Sequence, residues 1–381
     1  MGRLSRVEVV GGGPAGLYTA TLLKMAMPQA HIRVTEQNPP DATFGFGVVF
    51  SDQALGFLQA DDPETHNIIT PLMERWRNIT IVHKGEMVVI DGIGFSAIGR
   101  LKLLQLMQER ARKEGVELRF AHTVTSLDEL DGDLIVGADG LNSLVRTSDE
   151  GGFGVTLGHF DNHFAWFGTS RPFDTLTQTF VKTDRGTLNA HHYRYAPDMS
   201  TFIVECDPDT FRAYGFEQAD EAETAKLCEA IFADTLQGAP LMANRSIWRQ
   251  FPKLWCENWV VDNRVILGDA AHTAHFSIGS GTRLAMEDAI ALVRAIRDHD
   301  DLEKALASYQ RDRQPIAKTI VDAANTSALW YEYFPEKIAL APIDFAFDYI
   351  TRSGRVDVDR LRQLSPEFMA AYEAHKETSL A

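Results

Sequence analysis

Val7-Glu8-Val9-Val10-Gly11-Gly12-Gly13-Pro14-Ala15-Gly16 opens the chain and decides how it begins to fold. The apolar run predicts a strand, Gly-x-Gly-x-x-Gly follows it directly, and Leu17 to Met25 reads as a helix. Gly11 suits a tight turn, Gly13 lets backbone approach a pyrophosphate, and Gly16 permits close helix–strand packing. The helix N-terminus then faces the negative charge. Ile32-Arg33-Val34-Thr35 predicts a second strand ending at Glu36, placed to bind an adenosine ribose and to disfavour a 2′-phosphate. This order is a dinucleotide fingerprint, and by itself it leaves NAD and FAD equally open.

Much later, Arg264-Val265-Ile266-Leu267 predicts another strand, followed by Gly268-Asp269-Ala270-Ala271-His272. Ile278-Gly279-Ser280-Gly281-Thr282 is a second glycine-rich segment. A helix is expected from about Arg283 to Asp298, with Leu284, Ala285, Ala289, Leu292, Val293 and Ile296 on one apolar face. Between these ends lies Leu134-Ile135-Val136-Gly137-Ala138-Asp139-Gly140.

In this order the motifs resemble the FAD-containing aromatic hydroxylases of the single-component, para-hydroxybenzoate-hydroxylase-like class, over essentially the whole chain. The resemblance implies FAD as cofactor and NADH or NADPH as reductant. It places Asp269, after Gly268, on the flavin ribityl chain. It turns the helix N-terminus near Gly279, Gly281 and Thr282 toward the flavin N1–C2=O edge. Asp139 is shared between flavin and nicotinamide contacts, and Arg100 touches the flavin. Gln37, beside Glu36, and Val48 complete the expected cofactor set. In that family oxygen adds at flavin C4a, and the hydroperoxide hydroxylates an electron-rich ring. The protein positions, excludes water and manages protons.

His275-Phe276-Ser277-Ile278-Gly279-Ser280-Gly281-Thr282-Arg283 departs from the commoner family version, which carries proline at 276 and asparagine at 283. This variant resembles a narrower branch: salicylyl-CoA 5-hydroxylases, the hydroxylase half of anthraniloyl-CoA monooxygenase/reductases, and a violacein-pathway hydroxylase of tryptophan-derived intermediates. Tyr195 to Cys206 resembles the same branch, and Phe345 to Arg355 looks closest to the aryl-CoA members. The chain stops where the anthraniloyl-CoA enzymes continue, so the salicylyl-CoA type is expected. An indole or tryptophan-derived substrate is the alternative. The halogenase signature Trp-x-Trp-x-Ile-Pro is absent, and a simple NAD-dependent dehydrogenase would leave Gly268-Asp269 without a role. A different class altogether is an FAD-binding protein without turnover.

The expected fold is α/β (α+β): a Rossmann-like FAD-binding lobe, a β-sheet substrate lobe and a helical C-terminal region. Residues 1–60, 99–150 and 261–300 are assigned to a discontinuous FAD-binding domain. Residues 61–98 and 151–260 go to the β-rich domain, and 301–381 to the helical region. Phe44 to Phe50 reads as a loop, either hinged at Gly45 and Gly47 or a plain turn. Leu302–Gln310 and Ala317–Trp330 read as separate helices.

With 381 residues and 45% hydrophobic content, the chain can bury a core for two lobes. The net charge of −16 argues against a nucleic-acid surface, and requires a local Arg/Lys cluster for any polyanionic ligand. No run suits a membrane span, no targeting segment is expected, and Cys206, Cys228 and Cys256 show no metal-ligand spacing. A cytoplasmic monomer or homodimer without metal, acting on a small aromatic molecule and O2, is the expectation.

For catalysis the candidates are His275, Ser277 and His192; for the ring, Phe46, Trp166, His191, Tyr193 and Tyr195. Strand alternation lets only one of His191 and His192 face a pocket. His272 is expected to pack beneath the cofactor rather than transfer protons. Arg283, Arg352 and Arg355 are candidates for CoA phosphates.

Overall fold

The computed structural model describes residues 4–380. Arg6–Val10 and His31–Thr35 are neighbouring parallel strands, joined by the helix Pro14–Ala26. Their sheet has six strands, in the order Val260–Val261, Arg264–Ile266, Leu134–Gly137, Arg6–Val10, His31–Thr35, Glu117–Arg119. All pairs are parallel except the first, an antiparallel edge. Parallel strands need covering on both faces. Helices Pro14–Ala26, Arg100–Glu114 and Gly281–Asp298 supply apolar residues such as Leu17, Leu103 and Leu284 to that core. Glu8 is buried on the first strand because Arg33 on the next holds both its oxygens, at 2.8 and 2.9 Å.

A second, eight-stranded sheet is built around the long strand Val155–Thr169, with Met199–Cys206, Gly186–Ala196 and Leu176–Thr183 beside it. Ile79–His83 and Glu86–Ile90 join its far side, the former in parallel with Leu176–Thr183. Alternation divides its residues between two faces. Phe167, His192, Phe202 and Val204 pack outward under the helices Pro208–Tyr214 and Glu221–Ile231. Trp166, His191, Tyr193 and Ile203 face the first lobe across a cavity.

Two expectations need correction. The Phe44–Phe50 segment is not all loop: Gly47–Ser51 is a strand, paired antiparallel with Phe95–Gly99. Val48, Val49 and Phe50 favour a strand, but the partner lies far along the sequence and local reading does not reveal it. In the C-terminal region Leu302–Lys337 is one continuous helix where two were expected over Leu302–Gln310 and Ala317–Trp330. It runs through Pro315, although an internal proline costs a helix roughly 3 kcal/mol. Buried residues on both sides, including Leu306, Tyr309, Ile320 and Ala324, make tertiary packing the larger effect. Among the described residues no helix is long and apolar enough to cross a membrane.

Candidate active site

The cavity between the lobes has a volume of about 710 Å³. Gly13, Pro14 and Ala15 form one end of its wall, at the N-terminus of the first helix. Gly11 makes the turn possible. Its φ is +104°, and a Cβ there would lie 2.3 Å from the Ala138 carbonyl oxygen. At Gly13, by contrast, a Cβ would meet nothing within 4 Å, so that backbone is open to a ligand. Neither Glu36 nor Gln37 lines the cavity. The Glu36 carboxylate instead accepts from Gly12 N at 2.7 Å and from Asn38 N at 2.8 Å, bracing the glycine turn from outside.

Arg100 begins the helix Arg100–Glu114 and lines the middle of the cavity. Burial pulls its guanidinium below the usual range, while Asp269 and Tyr193 oppose that pull. It forms no ion pair among the described residues, so its cation stays open to the cavity that it shares with Asp269. Asp269 opens into the same space, surrounded by protein yet accessible from the cavity. Burial raises its carboxyl, with His272 and Arg100 working in the other direction. Asp139 sits just behind the wall: one oxygen accepts from Leu144 N at 2.6 Å, and the other is buried without a protein partner.

A second helix N-terminus, Gly281–Asp298, adds Gly279, Gly281 and Thr282 to the lining. Its anchor is Asp288, which sequence reading missed. Asp288 lies on the otherwise apolar inner face and accepts from Gly268 N at 3.0 Å. It also pairs with His272 Nε2 at 2.9 Å and with Arg313 Nε at 2.7 Å. Burial alone would raise this carboxyl, but His272 and Arg313 hold it down at about 2. The available signal was a charge on an apolar helical stripe.

The opposite wall comes from the second sheet. Trp166, His191 and Tyr193 line it, and Tyr193 donates to the Gly47 carbonyl at 3.0 Å. His192 does not: it points to the other face, between Phe173 and Phe202, with its Nε2 at 2.9 Å from the Thr179 hydroxyl. Phe46 and Tyr195 also lie outside the lining, packed against Gly168 and Gly47 respectively. Ser277 reaches the cavity, with its hydroxyl donating to Ser327 at 2.8 Å. His275 is set back from the cavity, in an aromatic nest with Phe160 and Phe251. Burial pushes it down to about 4; Glu205 opposes this, and His191 and Arg352 add to it.

Arg352 is not a free phosphate ligand. Its guanidinium stacks on Tyr349 at 3.8 Å and donates to Ser327 Oγ and to the Ser277 and Tyr349 carbonyls. Glu205, absent from the expected set, is buried behind His191 with Oε2 at 3.2 Å from its Nε2. Two helix N-termini, open glycine backbone, an arginine open to the cavity and an accessible aspartate together suit an anionic dinucleotide carrying a flavin.

Comparison with known proteins agrees. A family profile described as FAD binding domain matches residues 128–324. A salicyloyl-CoA 5-hydroxylase from Streptomyces sp. is 41% identical over 360 residues, covering 91% of this chain and 70% of the relative. A 3-hydroxy-4-methyl-anthranilyl-[aryl-carrier protein] 5-monooxygenase from Streptosporangium sibiricum is 33% identical, covering 92% of this chain and 95% of the relative. The fold also matches PqsL of P. aeruginosa, solved with 2-aminobenzoylacetate, with a TM-score of 0.67 at 21% identity, covering 86% and 96% of the two chains. The chain therefore belongs to the FAD-binding-domain family, as a flavin-dependent aromatic monooxygenase.

Proposed function

We propose that this chain uses NADH or NADPH and O2 to hydroxylate the ring of an aryl-CoA thioester of the salicylyl type. Gly13, Pro14 and Ala15 receive the FAD pyrophosphate, Asp269 the ribityl chain, and the second helix N-terminus the N1–C2=O edge. Arg100 meets negative charge in the middle of the cavity, and Asp139 supports the turn beside it. Bound FAD supplies the electron transfer and oxygen activation. The residues of the second sheet hold the ring against it and keep water out. In this reading the discontinuous first lobe (1–60, 99–150, 261–300) carries the flavin, residues 61–98 and 151–260 carry the substrate, and 301–381 brace both.

The observation that carries the thioester reading is the cavity mouth. Arg283, Arg355 and Arg360 converge there, in a chain of net charge −16. Arg355 is pulled down first by burial and then by the neighbouring Arg283, with Arg360 adding less; Glu287, which pairs with Arg283 at 2.7 Å, offsets part of that crowding. Like charges held together at the entrance of an aromatic-lined pocket suit the phosphates of a CoA tail.

Oxygen and NADH consumption by the holoenzyme, with salicylyl-CoA beside free salicylate and product mass recorded, tests this. Stimulation by the thioester alone with a gain of one oxygen supports the reading. Turnover of indolic acids instead would move the substrate to the tryptophan-derived class, and no turnover with any aromatic would leave a binding flavoprotein.

A further inference from the structure

We propose that His191 and Glu205 form a two-residue proton relay that takes the proton from the substrate's ring hydroxyl and carries it into the sheet, away from the cavity. The proposal rests on the hydroxyaryl reading above. His191, on the strand Gly186–Ala196, lines the cavity and is the histidine of its pair that faces it. Glu205, on the neighbouring strand Met199–Cys206, is 1% exposed and lies behind it, with Oε2 at 3.2 Å from His191 Nε2. Nε2 is thus engaged by the carboxyl, and Nδ1 is the ring nitrogen left for a ligand. The other Glu205 oxygen accepts from Asn162 Nδ2 at 3.0 Å, which fixes the carboxyl.

The steps balance without an added reagent. At the start Glu205 is a carboxylate accepting from Nε2–H, and Nδ1 carries a lone pair. The ring O–H bond breaks as Nδ1–H forms; Nε2–H breaks as the Glu205 O–H forms. The ring oxygen is left as an oxyanion receiving a hydrogen bond from Nδ1–H, and one negative charge has moved from Glu205 to the ring. An oxyanion makes the ring richer in electrons, which is what electrophilic hydroxylation needs.

The surroundings favour that end point. Burial first, and then Arg352, make a doubly protonated His191 unfavourable, so the proton passes on rather than resting there. Burial raises Glu205, so it holds a proton more readily than an ordinary carboxyl; His275 and the Asn162 contact moderate this. The other groups facing the pair are Tyr331, whose hydroxyl lies 3.3 Å from Gln178 Oε1, and Glu332, both on the helix Leu302–Lys337. The sign follows: the acceptor works while Glu205 is ionised, and is lost as pH falls through its raised value.

The test uses the FAD-loaded full chain with 15N-labelled histidine rings. In the wild type, lowering the pH should switch His191 from its Nε2–H to its Nδ1–H form as Glu205 takes a proton, and Glu205→Gln should abolish that switch. A wild-type His191 that keeps one tautomer throughout overturns the proposal. With salicylyl-CoA, Glu205→Gln should lower kcat about 100-fold or more, with KM changed less than about threefold, and should leave the bound hydroxyl un-ionised in the ultraviolet spectrum. Glu205→Asp should restore part of the ionisation, which guards against a loss caused by misfolding alone. An unchanged pH profile in Glu205→Gln refutes the relay. Failure of the wild type to bind salicylyl-CoA counts against the substrate reading, and the tautomer measurement, needing no substrate, still decides the relay.

Discussion

Asp269 lines the cavity together with Arg100, whose cation favours its ionised form, while the buried Asp288 opposes it. Replacing Asp269 with Ala should lower FAD retention at least tenfold, read as the ratio of flavin to protein absorbance after gel filtration. Asp288 acts behind it. Because its folded value is depressed to about 2, its contribution is present above the ordinary carboxylate range and fades as pH drops from about 4 toward 2. Asp288→Asn leaves Arg313 and His272 facing a neutral amide and should cost about 3 kcal/mol in urea unfolding at neutral pH. A stability gap between wild type and variant that is as large at very low pH as at neutral pH would contradict that role. Asp269 was readable from the Gly-Asp motif, whereas Asp288 and Glu205 were not. Their importance comes from partners on other elements, Arg313 for one and His191 for the other, and no spacing along the chain announces such pairs.

The glycine turn between Arg6–Val10 and Pro14–Ala26 has little slack. Gly11→Ala would drive its Cβ into Ala138 O, and should lose both flavin content and several degrees of melting temperature. A variant that retains full flavin would mean that the neighbouring strand can give way. Elements whose signal is local were legible: the first strand–turn–helix, and the helix after Gly279. The strand Gly47–Ser51 was not, because its identity depends on pairing with Phe95–Gly99. The choice between His191 and His192 was open for a related reason. Alternation says that the two point to opposite faces, but only the position of the sheet in the molecule says which face meets the cavity.

At the scale of the whole molecule, the charge pattern makes a kinetic prediction. Added salt should raise the KM for an aryl-CoA ester several-fold while barely changing that for a free aryl acid, because the mouth arginines act through screened attraction. Equal salt responses would separate those arginines from binding. The helix Leu302–Lys337 has a different consequence. Its first half holds Asp288 of the helix Gly281–Asp298 through Arg313, and its second half seats Trp330 and Phe334 against Phe180 of the second sheet. Ser327, between them, grips the loop at Ser277. One rod is thus mortared into both halves, so neither half can melt while the other stands. Scanning calorimetry of the holoenzyme should show a single endotherm, and limited heating should release flavin and the structure of the eight-stranded sheet together.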